Sequence, residues 1–126
     1  MILKRSECAI LSLVLTRKWY VQIFSGKKLE EYRDATKYWR VRLSNWVEKS
    51  IIFRKTLVIE FRRGYSSYAP RMAFLAKSFE GGGPERRYFA RAFGASHPEW
   101  GEPKGNHFVI GIGERVELTK ESEAAK

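Results

Sequence analysis

The chain has 126 residues, 44% apolar and 30% charged, a balance that fits one folded domain with a real core and excludes a disordered polymer. Its 24 Lys and Arg against 14 Asp and Glu leave a net charge of +10. Residues 1–63 carry that excess, with 15 basic and 6 acidic side chains, whereas residues 64–126 hold 9 and 8. A basic half on a small domain points to a polyanion, most simply nucleic acid. The single cysteine, Cys8, excludes an internal disulfide. With His97 and His107 it falls short of the four ligands that a structural zinc needs, so neither metal nor cofactor is expected. A lone thiol among apolar neighbours reads as buried and inert, in a reducing compartment, the cytoplasm. No apolar stretch approaches transmembrane length, and no membrane partner is expected.

In chain order, Cys8–Leu15 is the first strand candidate. The apolar run there is short, Arg17 and Lys18 close it, and no small-residue cleavage site follows, so it reads as a buried strand and not a secretory leader. Thr16 can cap a helix over 17–25, which Gly26 can end in the left-handed conformation. Trp19, Tyr20, Ile23 and Phe24 form its apolar stripe and predict core packing. A second strand covers 28–33. Asp34 or Thr36 then caps a second helix through about Val47, with Trp39, Leu43, Trp46 and Val47 on one face. Thr56–Phe61 is a β-branched run and a strand. Residues 64–70 make a turn, and Arg71–Phe79 a further strand. Three glycines and Pro84 break it. A short helix follows, carrying Tyr88, Phe89 and Phe93, with Arg86, Arg87 and Arg91 as a solvated face. The last strand is His107–Leu118, and the polar tail 119–126 is expected to be disordered. About five strands and two or three helices, not strictly alternating, predict an α+β domain. A small mixed β-barrel with helices at its ends fits better than a parallel sheet.

Residues 25–33 concentrate the chemistry. One glycine, two lysines, two glutamates, a tyrosine and an arginine fall within nine residues. Strand parity puts Glu31 and Arg33 on one face and Glu30 and Tyr32 on the other. Charges in a strand need partners or a wet cleft, because burying them unpaired is costly. Glu31 can accept from an exocyclic amine such as that of cytosine, and Arg33 can donate a fork to a carbonyl or phosphate. Lys28 adds a point charge. Tyr65 and Tyr68 on the later turn can stack on the same base, and Arg71 completes the ligand-binding set. The bland alternative is a Glu31–Arg33 pair that only tethers the wall. Gly111 and Gly113 lack the third glycine of a dinucleotide loop, and neither a Walker loop nor a nucleophile elbow occurs.

The order of these segments resembles the ASCH domain family, which has the PUA-like fold. The likeness runs through the Leu11–Leu13 strand, the helix ending at Gly26, and the set Gly26, Lys28, Glu31 and Arg33. It continues through Tyr38, Trp39, Arg42 and Leu43, then Gly64, Tyr65, Ala69 and Pro70, then Pro98 to Trp100, and Phe108 to Ile110. It covers roughly residues 8–118 of a single domain, 1–126. The resemblance implies a pseudo-barrel with a cleft lined by the motif, binding RNA or a nucleoside-like small molecule. One resembling group removes the acyl group from acetylated cytidine with a motif lysine and a threonine three residues later. Lys28 matches that lysine, but Glu31 stands where the threonine would be and cannot serve as a hydroxyl nucleophile. As an alternative, the chain is a small hydrolase, a nucleoside amidohydrolase or a ribonuclease. Lys28 would then position the substrate and Glu31 would act as general base. Glu30 replaces an apolar residue of the family, which implies a wetter strand.

Overall fold

The computed structural model describes residues 1–34, 36–80 and 107–120. Within them the elements are β1 (Ile2–Lys4), a 3₁₀ turn (Arg5–Glu7), β2 (Cys8–Leu15), α1 (Arg17–Phe24), β3 (Glu30–Asp34), α2 (Lys37–Phe53), β4 (Thr56–Arg63), β5 (Arg71–Glu80) and β6 (His107–Thr119). The strands form one curled sheet, a half-barrel in a mixed α+β fold, in the order β1-β6-β5-β4-β2 with β3 also on β6. β2 and β4 run parallel, joined by a crossover that holds α1, β3 and α2. The β4–β5, β5–β6 and β3–β6 pairs are antiparallel. The proposed short helix after Pro84, with Arg86, Arg87 and Arg91, lies outside the described residues, as do His97 and the segment 121–126.

Alternation builds the core. Ala9, Leu11, Leu13 and Leu15 of β2 and Ile59 and Phe61 of β4 point to one face, where Tyr20 and Ile23 of α1 and Leu43 and Trp46 of α2 cover them. Cys8, Val58, Ala73 and Val116 form a smaller cluster on the opposite face. The Cys8 thiol donates to the Lys4 carbonyl at 3.3 Å, and burial pushes its pKa up, as an inert thiol requires. α2 also guards the open edge of β2. The Trp46 indole donates to the Ala9 carbonyl at 2.8 Å, and Arg42 donates to the Ser12 carbonyl. An exposed row of strand carbonyls would otherwise invite a second chain.

Gly111 and Gly113 serve this packing. A Cβ on Gly113 would lie 2.9 Å from the Leu75 carbonyl oxygen, and one on Gly111 would collide with the Ser78 hydroxyl. The β5–β6 register shifts between Phe74 and Ala76 and again before Ser78. That bulge turns β6 over, so Ile112 sits in the main core while Val116, of the same parity, sits in the small cluster.

Several boundaries differ from the sequence reading. β1 is too short to announce itself, and pairing with the end of β6 holds it. The second strand begins at Glu30, because Lys28 still belongs to the turn that leaves α1. Thr16 occupies the N-cap of α1 without a side-chain bond, whereas Thr36 does cap α2, accepting from Trp39 N at 3.3 Å. α2 runs past Val47 to Phe53 and ends on Arg54 in the left-handed region (φ 52°). Its apolar stripe has ended by then, and Ile51, Ile52 and Phe53 face outward. Phe24 leaves the α1 stripe too. It is exposed, beneath the Arg115 guanidinium at 5.1 Å.

Candidate functional site

α1 ends at Gly26 (φ 78°), and the chain folds back so that Lys27 N and Lys28 N both donate to the Gln22 carbonyl at 3.0 Å. That turn directs Lys28 inward. β3 then lies antiparallel to β6 with Glu31 opposite Ile110 and Arg33 opposite Phe108. Directly paired residues share a face, so Glu31 and Arg33 point to the face of the main core. Lys28 and Glu31 are each only 4% exposed.

Three groups converge on one oxygen. Glu31 Oε1 lies 2.6 Å from Lys28 Nζ and 3.4 Å from Arg33 Nη1, and it accepts from Tyr32 N at 3.1 Å. Arg33 Nη1 also donates to the Tyr32 carbonyl at 2.8 Å. Aromatic rings frame the cations. Lys28 Nζ is 4.8 Å from the Trp19 ring centre and 5.7 Å from that of Tyr32. The Arg33 and Arg42 guanidiniums lie 5.1 and 5.0 Å from Trp39. Such contacts favour a desolvated cation by up to about 2 kcal/mol. Glu31 Oε2 is buried and has no hydrogen-bond partner among the described residues. This ion pair is therefore enclosed, with both partners almost wholly removed from water.

Glu30 projects from the other side of β3, opposite Gly111, and is 8% exposed, so the expectation of a wetter strand fails at this residue. The Tyr32 hydroxyl donates to its Oε1 at 3.3 Å. Burial pushes the Glu30 carboxyl up to about 7, and that hydrogen bond only partly offsets it. Burial, with the Glu30 charge second, likewise raises the Tyr32 phenol. Between its ordinary 4.5 and about 7 the folded chain holds a Glu30 proton that the unfolded chain has released. Stability from this group is thus fully present below 4.5 and lost as pH rises through about 7. Glu30→Gln is expected to remove that slope and to stabilise the fold at pH 8 by about 1–3 kcal/mol. Urea unfolding of both proteins at pH 5 and pH 8 checks it, and equal slopes for the two would contradict it.

The other three proposed ligand residues lie elsewhere. Arg71 pairs across the strands with Arg62 and so projects on the Glu60 face, opposite to Glu31. Tyr65 and Tyr68 stand 84% and 95% exposed on the β4–β5 turn. Sequence reasoning missed Glu60, which is 8% exposed, accepts both Arg5 nitrogens at 2.9 and 3.2 Å and lies 3.9 Å from Arg71. A lone carboxylate inside the apolar run Thr56–Phe61 was the available signal. Trp19 and Trp39 were read as core alone, although both also border the charged cluster. No helix among the described residues is long and apolar enough to cross a membrane. Set against protein-family models, curated proteins and solved structures, the chain matches none of them.

Proposed function

We propose that this chain is an ASCH-type protein of the PUA-like fold that binds RNA or a nucleobase-containing ligand at the Lys28–Glu31–Arg33 cluster. One observation carries the reading: Glu31 is clamped through Oε1 by Lys28 and Arg33, while its buried Oε2 has no hydrogen-bond partner among the described residues. A fixed carboxylate oxygen of that kind suits a donor, and the exocyclic amine of cytosine or adenine is such a donor once the cover over Oε2 opens. Arg33, 17% exposed at its side chain, can pair with a neighbouring carbonyl or phosphate. Trp39, packed against the core beneath the Arg33 and Arg42 guanidiniums, borders the same cluster and would report a ligand there. The chain's charge adds long-range attraction for the phosphates, and its single buried thiol suits the cytoplasm.

The test is a titration with cytidine, adenosine, uridine and guanosine, followed through the Trp39 indole resonance and by calorimetry. Cytidine or adenosine is expected to bind more tightly than uridine by about 1–3 kcal/mol. No shift at Trp39 with any nucleoside or short RNA would sink the reading. Release of the acyl group from an acylated cytidine would replace it with the hydrolase.

A further inference from the structure

The face of the sheet opposite the Glu31 cluster carries a second set of charges. Arg62 and Arg71 stand directly across from one another on β4 and β5. Like charges in that relation repel and destabilise a sheet. Glu60, on the same face, is already held by two Arg5 nitrogens and lies 3.9 Å from Arg71, beyond hydrogen-bond reach. An open cavity of about 700 Å³ runs along Arg5, Glu60 and Arg71. A smaller one lined by Ser12 and Arg62 adjoins it, sharing Glu60 and Arg71.

The turn at the end of this face is ordered by its own bonds. Arg63 N donates to the Pro70 carbonyl at 3.0 Å, Gly64 N to the Leu15 carbonyl at 3.1 Å and Ala69 N to the Ser66 carbonyl at 3.0 Å. Tyr68 N donates to Ser66 Oγ at 3.2 Å. Two tyrosines almost wholly in solvent are thereby presented by a fixed turn, so little ordering is left to oppose binding.

We propose that the Arg62–Arg71 pair and the Tyr65–Tyr68 turn form a second binding surface, for single-stranded nucleic acid. The guanidiniums neutralise phosphates and the rings stack on bases. Glu60 is a positioning residue that holds Arg5 along the groove. Rings on the turn that joins the two arginine-bearing strands match the two halves of a nucleotide, a flat base and an anion. This surface is independent of the Glu31 cluster, which faces the other way.

The experiment is fluorescence anisotropy of a labelled ten-nucleotide oligouridine over a salt series, on the full chain. Tyr65→Ala with Tyr68→Ala is expected to weaken binding roughly fivefold or more for each ring. Tyr65→Phe with Tyr68→Phe should keep the affinity, since stacking needs no hydroxyl. Arg62→Ala with Arg71→Ala should reduce the log–log salt slope by about 1.4, that is about 0.7 per phosphate contact. Tyr65, Tyr68 and Arg71 are exposed and Arg62 is half-buried, so the tyrosine variants should melt as wild type and the arginine variant no lower than wild type, since it loses the like-charge repulsion. Wild-type protein that ignores the oligonucleotide at low salt would overturn the proposal. So would alanine variants that bind with unchanged affinity and slope, or a surface that takes up anionic vesicles and no oligonucleotide. Failure of nucleosides to shift Trp39 would remove the earlier reading and leave this one standing.

Discussion

Glu31→Gln is expected to cost about 3–5 kcal/mol of folding stability, the usual loss when one partner of a buried charge pair is removed. The substitution is nearly isosteric, yet Lys28 would stay in a 4%-exposed site facing an amide where its carboxylate had been 2.6 Å away. Arg33 would lose the same counter-charge, though its partial exposure lets water compensate. Adding Lys28→Met to Glu31→Gln should recover at least half of the loss, because an unbranched apolar chain needs no counter-ion. Urea unfolding of wild type, both single variants and the double variant closes a cycle that isolates the pair. Nucleoside affinity on the same four proteins separates folding from function. The double variant is expected to fold without binding cytidine. Wild-type affinity in that variant would reduce the cluster to a wall tether, and a wild-type melting curve for Glu31→Gln would contradict the enclosed pair.

Trp46→Ala is expected to destabilise the fold by about 3–5 kcal/mol, as large aromatic truncations in cores do. Trp46 is 4% exposed, packs in the main core and donates its indole N–H to the Ala9 carbonyl at 2.8 Å. Two losses therefore coincide: a cavity between α2 and β2, and an edge carbonyl without its cover. Trp46→Phe keeps most of the packing and isolates the second loss, with an expected cost of about 1–3 kcal/mol. For a chain of this length the alanine variant should melt roughly 10–20 °C lower. It should also aggregate more readily, because the edge of β2 is opened. Thermal unfolding by circular dichroism with light scattering checks both, and an unchanged melting temperature would show that α2 does not seal this edge.

Local patterns are legible in this sequence wherever the physics is local. Cys8–Leu15 is a short apolar run closed by Arg17 and Lys18 and forms β2 with those bounds. Gly26 ends α1 at positive φ, Thr36 caps α2, and parity places Glu31 and Arg33 on a common face. The α+β class with a curled sheet follows from the same elements in order. Burial was not legible. Nothing in residues 25–33 announces that Lys28 and Glu31 would be enclosed, because that depends on β6 pairing with β3 from about 80 positions away and on Trp19 arriving from α1. Arg71 was grouped with Glu31 on chemistry alone, whereas the register with Arg62 assigns it to the other face. Gly111 and Gly113 meant little until β5 passed within a Cβ's reach of them. Side-chain type and spacing act over a few residues, so the sequence by itself determined the longer strands, the Thr36 cap and the parity within β3. Which charges lose their water depends on which distant surfaces meet, and the tertiary structure alone decided that.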